Sequence, residues 1–123
     1  MTRAQKIAHA LHPITVTPTP GRVQVVANGT VIAESTSSLT LREAWHPPVQ
    51  YVPTADIVPA VMSRTDTSTY CPFKGHASYY SVRTPGGTID DAGWTYDDAY
   101  DAVAEIKDHV AFYTSKVSVT VEG

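Results

Sequence analysis

Asn28-Gly29, set between Arg22-Val23-Gln24-Val25-Val26-Ala27 and Thr30-Val31-Ile32-Ala33-Glu34, constrains this chain more than any other feature. A two-residue turn between antiparallel strands holds both central residues at positive φ, which asparagine and glycine tolerate and most residues do not. The two flanking runs are rich in β-branched residues and read as strands. The prolines act with this hairpin against a helical fold, because each fixes φ and biases its predecessor away from helix. His12-Pro13, Pro18 and Pro20 mark an extended N-terminal arm over residues 1–20, and Pro47-Pro48 stops a strand read over Leu39–Trp45.

Further strands are read at Val49–Val52, Arg64–Tyr70, Ser78–Arg83, Thr88–Ile89 continuing to Trp94–Tyr96, and Lys116–Val121, with a helical turn over Thr54–Met62. Pro85-Gly86-Gly87 is a turn. One helix is expected from Asp98 to about Val110, where Ala99, Val103, Ile106 and Val110 recur at three- and four-residue spacing. Asp97 or Asp98 caps it, and Asp97, Asp98, Asp101, Glu105 and Asp108 form a solvated acidic face, with favourable charge at the helix start. The fold class is therefore mainly β (α+β), built of antiparallel sheets with one helix in the C-terminal half. At 123 residues the chain has the size of one domain, with a β-rich core over 21–121.

Charge and cysteine usage remove several functions. The net charge is −3 and the nine lysines and arginines are scattered, so the basic face needed for nucleic-acid phosphates is missing. One cysteine forms no internal disulfide, and no apolar run approaches a signal segment or a membrane span. The expected location is the cytoplasm, with neither nucleic acid nor membrane as partner. Neither a G-x-x-x-x-G-K-[ST] nor a G-x-G-x-x-G phrase is present, so phosphate-cradling chemistry has no motif. No cofactor and no metal are expected: a tetrathiolate needs four cysteines, and the spacing of His46, Asp66, Cys71 and His76 matches no ligand pattern.

The densest chemistry lies in Tyr70-Cys71-Pro72-Phe73-Lys74-Gly75-His76. Proline and glycine around Phe73-Lys74 fix a stiff turn between strands. Cys71 is a candidate nucleophile if Lys74 or His76 lowers its pKa, and an inert packed thiol otherwise. Lys74 can offer its ammonium to a carboxylate or phosphate, or stand as an ordinary exposed turn lysine. Tyr51, Tyr70, Tyr79, Tyr80, Trp94 and Tyr96 are rich enough in ring surface to wall a pocket, with Arg42, Glu43 and Lys74 supplying the polar groups that orient a ligand.

Four phrases carry a resemblance to a known family. They are Tyr51-Val52-Pro53-Thr54-Ala55-Asp56, Thr69-Tyr70-Cys71-Pro72-Phe73-Lys74-Gly75-His76-Ala77-Ser78-Tyr79, Trp94-Thr95-Tyr96-Asp97-Asp98 and Ile106-Lys107-Asp108-His109-Val110-Ala111-Phe112-Tyr113. In this order and spacing the chain resembles the bacterial and plant family of domain of unknown function number 427, from about His12 to Val121. The resemblance implies a β-tent-like architecture of twisted sheets, related to zinc-bearing methionine sulfoxide reductases and to the thalidomide-binding domain of cereblon. It implies little about activity, although the family sometimes carries a nucleotidyltransferase label. The family's motif falls on Glu43, Tyr51, Cys71, Lys74, Tyr79, Trp94 and Tyr96, among others. Ala99 stands where a proline is usual and Asp108 where a glycine is usual.

The leading expectation is a binding module in which Glu43, Tyr51, Lys74, Tyr79, Trp94 and Tyr96 contact a small polar or anionic ligand. The first rival is an enzyme with Cys71 as nucleophile or redox centre, His76 as base and Lys74 stabilising negative charge. The second is a non-catalytic interaction domain, for which a homodimer is the expected partner state.

Overall fold

The computed structural model describes residues 13–123. Two antiparallel sheets contain ten strands: β1 Ile14–Pro18, β2 Arg22–Ala27, β3 Thr30–Ser35, β4 Leu39–Glu43, β5 Val49–Pro53, β6 Met62–Cys71, β7 Gly75–Thr84, β8 Gly87–Thr95, β9 His109–Phe112 and β10 Ser118–Glu122. The larger sheet runs β1-β4-β5-β9-β8-β7-β6 and the smaller β10-β2-β3. Asn28 and Gly29 take φ of 49° and 79° and join β2 to β3 as the sequence requires. Among the described residues no helix is long and apolar enough to cross a membrane.

Strand alternation distributes the apolar side chains between two cores. Val23, Val25 and Ala27 of β2 and Ile32 and Ala33 of β3 pack on Val52, Val82, Ala92, Val110 and Phe112 of the larger sheet. The opposite face of that sheet carries Leu41, Tyr51, Ala77, Tyr79 and Ala111, covered by Ile14, Tyr96, Ala99, Val103 and Ile106. Each fully buried valine, leucine or isoleucine in these clusters contributes about 1.5–3 kcal/mol through removal from water.

Two expectations change. Ile14–Pro18 of the expected N-terminal arm is an edge strand, paired with β4 from Ile14↔Glu43 to Pro18↔Leu39; residues 1–12 lie outside the described residues. The helix expected over Asp98 to Val110 is a short 3₁₀ segment, Asp101–Ile106, broken at Val103 with φ −127° and ψ 26°. His109–Phe112 is strand β9, inserted between β5 and β8 through Val52↔Val110 and Trp94↔Ala111. Val110 and Phe112 face one core and Ala111 the other, so the two-sided burial of a central strand outweighs the helical spacing. Val103 and Ile106 still reach a single core, because a 3₁₀ turn also brings residues three apart to one side, and Ala99, just before the segment, joins the same core. Thr54–Met62 holds two 3₁₀ turns, Thr54–Asp56 and Pro59–Val61, with Pro59 at the start of its turn.

Candidate functional site

The Cys-Pro-Phe-Lys turn joins β6 to β7, with the Lys74 N–H donating to the Cys71 carbonyl at 3.2 Å. Gly75 follows at φ +115°, and a Cβ there would lie 3.2 Å from the Asp98 carbonyl oxygen. The Tyr100 N–H donates to the Lys74 carbonyl at 3.0 Å. Held from both sides, the turn directs the Lys74 side chain inward. Lys74 is only 8% exposed, and its ammonium forms an ion pair with the Glu43 carboxylate of β4. Glu43 shares the inward face of β4 with Leu41, two residues earlier. A lysine buried this far is tolerable because it is paired.

Beside the pair, aromatic residues on three of four adjacent strands flank a small residue on the fourth. Tyr79 and Trp94 are register partners on β7 and β8, and Trp94 is the partner of Ala111 on β9. Tyr51 lies on β5, one step along from Val52↔Val110. Ala111 is the small residue between the two large rings, and the Trp94 Nε1–H reaches across it to donate to the Tyr51 hydroxyl at 3.2 Å. The two rings meet edge to face at 6.5 Å and 88°. Tyr79 shares a hydrogen bond with the Thr69 hydroxyl at 2.9 Å.

These residues line a cavity of about 620 Å³. The structure brings Glu43, Tyr51, Lys74, Tyr79, Trp94 and Tyr96 together on its wall. The wall also includes residues that were not expected on it: His46, Pro47 and Pro48 from the β4–β5 loop, Gln50 of β5, Phe112 at the end of β9 and Tyr113 after it, and Val119 and Val121 of β10. Phe112-Tyr113 stands inside one of the four family phrases, which was the available signal. Nothing in β10 distinguishes its valines from ordinary core residues.

Burial raises the Tyr51 phenol well above its ordinary value, although the Trp94 hydrogen bond acts in the opposite direction. Burial also raises Tyr96, with the neighbouring Tyr51, Cys71, Tyr79 and Glu43 adding to the effect. Tyr113, packed on Trp94 at 4.6 Å, is pushed up to about 12 by burial first and by Tyr79 second. All three phenols are therefore neutral hydrogen-bond donors near pH 7.

The catalytic grouping of Cys71, Lys74 and His76 is not assembled. Ala77 and Tyr79 of β7 face the inner core, so Gly75 and its register partner Cys71 face the same way. His76 and its partner Tyr70 then project from the opposite face, with ring centroids 4.7 Å apart. An imidazole on the far side of the sheet cannot serve as base for this thiol. Cys71 is half-buried against the aromatic core and lies outside the cavity wall. Tyr70 and Tyr80 also leave the expected pocket: Tyr70 shares a 2.6 Å hydrogen bond with the Tyr100 hydroxyl, and Tyr80 lies under the Arg64 guanidinium at 4.9 Å. Arg42 is exposed and does not reach the cavity.

The sequence profile of the family described as Domain of unknown function (DUF427) matches residues 15–123. The chain belongs to this family. None of the curated proteins compared with this DUF427 domain matches it. The match includes every residue of the cavity wall named above, so the wall is built wholly from the part of the chain that defines the DUF427 domain.

Proposed function

We propose that this DUF427 domain is a binding module for a small polar ligand with a flat apolar body. One observation carries the reading. Tyr96 is 6% exposed, lines the cavity, and its hydroxyl has no hydrogen-bond partner among the described residues. Among the described residues the fully buried side-chain polar atom without a partner is Ser38 Oγ, so the Tyr96 hydroxyl keeps some accessible surface, and a phenol donor left open on a cavity wall is available to a polar group that arrives from outside. The Tyr51, Tyr79 and Trp94 rings offer the apolar walls, and the Lys74–Glu43 pair offers a fixed donor and acceptor. The volume is in the usual range for small-molecule sites, about 300–1,000 Å³.

A thermal-shift screen of flat polar compounds tests the reading. A ligand present at about 100 times its dissociation constant adds about 2.7 kcal/mol to stability. Tyr96→Phe keeps the wall and deletes the hydroxyl, so it should weaken a hit by about tenfold, the value of one hydrogen bond. A screen without hits, or a hit indifferent to Tyr96→Phe, removes the basis of the proposal.

A further inference from the structure

Resting on that reading, we infer that the ligand is an extended peptide segment: one of its peptide units bridges a gap between β5 and β9, and the adjoining side chain enters the ring-lined cavity. The ladder between these strands is short. It holds Val52↔Val110 and Pro53↔His109, and beyond them the Thr54 N–H donates to the Asp108 carbonyl at 2.9 Å. Pro53 has no N–H, so Val52 and Val110 exchange both bonds of their own pair. Backbone groups of residues two apart point to the same side of a strand, so those of Gln50 on β5 and Phe112 on β9 are directed toward each other. The Tyr113 N–H keeps the alternation by turning the other way, to the Ala92 carbonyl of β8 at 2.9 Å.

The ladder nevertheless stops at Val52↔Val110. A bond from the Phe112 N–H to the Gln50 carbonyl would pair Tyr51 with Ala111, and that pair is not formed. Gln50 and Phe112 both line the cavity, which thus reaches between the two strands. Phe112 is only 4% exposed, and its N–H has no partner among the described residues. A buried backbone N–H is almost always paired, so this one marks a place for an acceptor. In a trans peptide unit the C=O and N–H point in opposite directions. One such unit in the gap accepts from the Phe112 N–H and donates to the Gln50 carbonyl, as a strand inserted there would. Side chains leave an extended chain across the plane of the sheet. On the face of Tyr51, Trp94 and Tyr96 the cavity is walled by rings, which a flat aromatic side chain fits.

N-acetyl-L-phenylalaninamide is the smallest probe with both parts. Two relatives control for it: the acetate ester of L-phenyllactamide, in which oxygen replaces the donating N–H, and hydrocinnamamide, which keeps the ring and terminal amide but lacks the bridging unit. Titration calorimetry on the full chain should rank the peptide probe first, about fivefold to tenfold tighter than either relative, the worth of one hydrogen bond. Heteronuclear NMR supplies a second reading, in which hydrogen exchange at the Phe112 amide should slow at least about tenfold when the peptide probe saturates the protein. Equal binding of all three compounds, or peptide binding that leaves the Phe112 amide unprotected, overturns the inference and leaves the binding module standing. If none of the three binds at tens of millimolar the inference falls, and the thermal-shift screen then decides the module by itself.

Discussion

Removing one member of the Lys74–Glu43 pair should cost far more than removing both. The side chains are 10% and 15% exposed, so little water reaches either charge. Lys74→Met leaves the Glu43 carboxylate buried without the ammonium, and deleting one partner of a buried pair costs about 3–5 kcal/mol. The residual exposure next to the cavity places the expectation at the lower end, about 3 kcal/mol. Unfolding entropy of about 2.1 cal/mol/K per residue gives this chain about 0.26 kcal/mol/K, so Tm should fall by about 12 °C. Glu43→Leu should cost a similar amount. The double variant removes both charges and fills the space with apolar atoms, and it should lie within about 1–2 kcal/mol of wild type. Urea unfolding of the four proteins yields the coupling energy, expected to be at least about 2 kcal/mol. Single effects that add to within about 0.5 kcal/mol would mean that the pair is an ordinary surface contact, and the account of the turn would be refuted.

Other expectations follow from neighbouring features. Ala111→Leu puts three more carbons between Tyr51 and Trp94, and overpacking there should cost about 1–3 kcal/mol in a denaturant titration. Gly75→Ala places a side chain at φ +115°, 3.2 Å from the Asp98 carbonyl, and should lose about 1–3 kcal/mol by the same measurement; an unchanged midpoint would show that the turn is not held there. The Arg64 guanidinium, through its two hydrogen bonds, holds the Asp97 carboxyl below its ordinary 3.8. A depressed carboxyl stabilises the fold above its unfolded pKa and loses that contribution as pH falls through the folded value, so Asp97→Asn should flatten the acid limb of the Tm-against-pH curve. The effect should be under about 1 kcal/mol because the pair is exposed. The raised Tyr113 phenol works in the other direction: its contribution is complete below pH 10 and fades as pH rises toward about 12. Ultraviolet phenolate absorbance should show Tyr113 ionising after an ordinary tyrosine and before Tyr51 and Tyr96, and Tyr113→Phe should remove that step while the two later ones remain.

Much of the fold was legible because turn chemistry and two-residue alternation act locally. Asn28-Gly29 fixed one hairpin, and Pro85-Gly86 joins Thr84 to Gly87 in another, where the Thr84 hydroxyl accepts the Gly86 N–H at 3.2 Å. The segment around Val110 was not legible, since Val103, Ile106 and Val110 satisfy a helical period while their actual burial is divided between two cores on opposite faces of a sheet. That division depends on β5 and β8, which are distant in sequence. The candidate site was legible by residue type and only partly by arrangement. Aromatic content marked Tyr51, Tyr79, Trp94 and Tyr96, but it also marked Tyr70 and Tyr80, because composition does not reveal which face of a strand is covered. Cys71 and His76 are near neighbours in the chain and still diverge, since register places them on opposite sides of the hairpin.

Because Ala111 separates Tyr51 from Trp94 on the cavity wall, no fragment of the chain contains a miniature of the site. Its walls arrive from five separate stretches, one of them in β10 of the smaller sheet, and His109–Phe112 must wedge between β5 and β8 before the recess is complete. A nascent or clipped chain that ends before His109 would hold most of the aromatic rings and none of the hollow. The recess in this domain should therefore appear late, once strands of both sheets are in place.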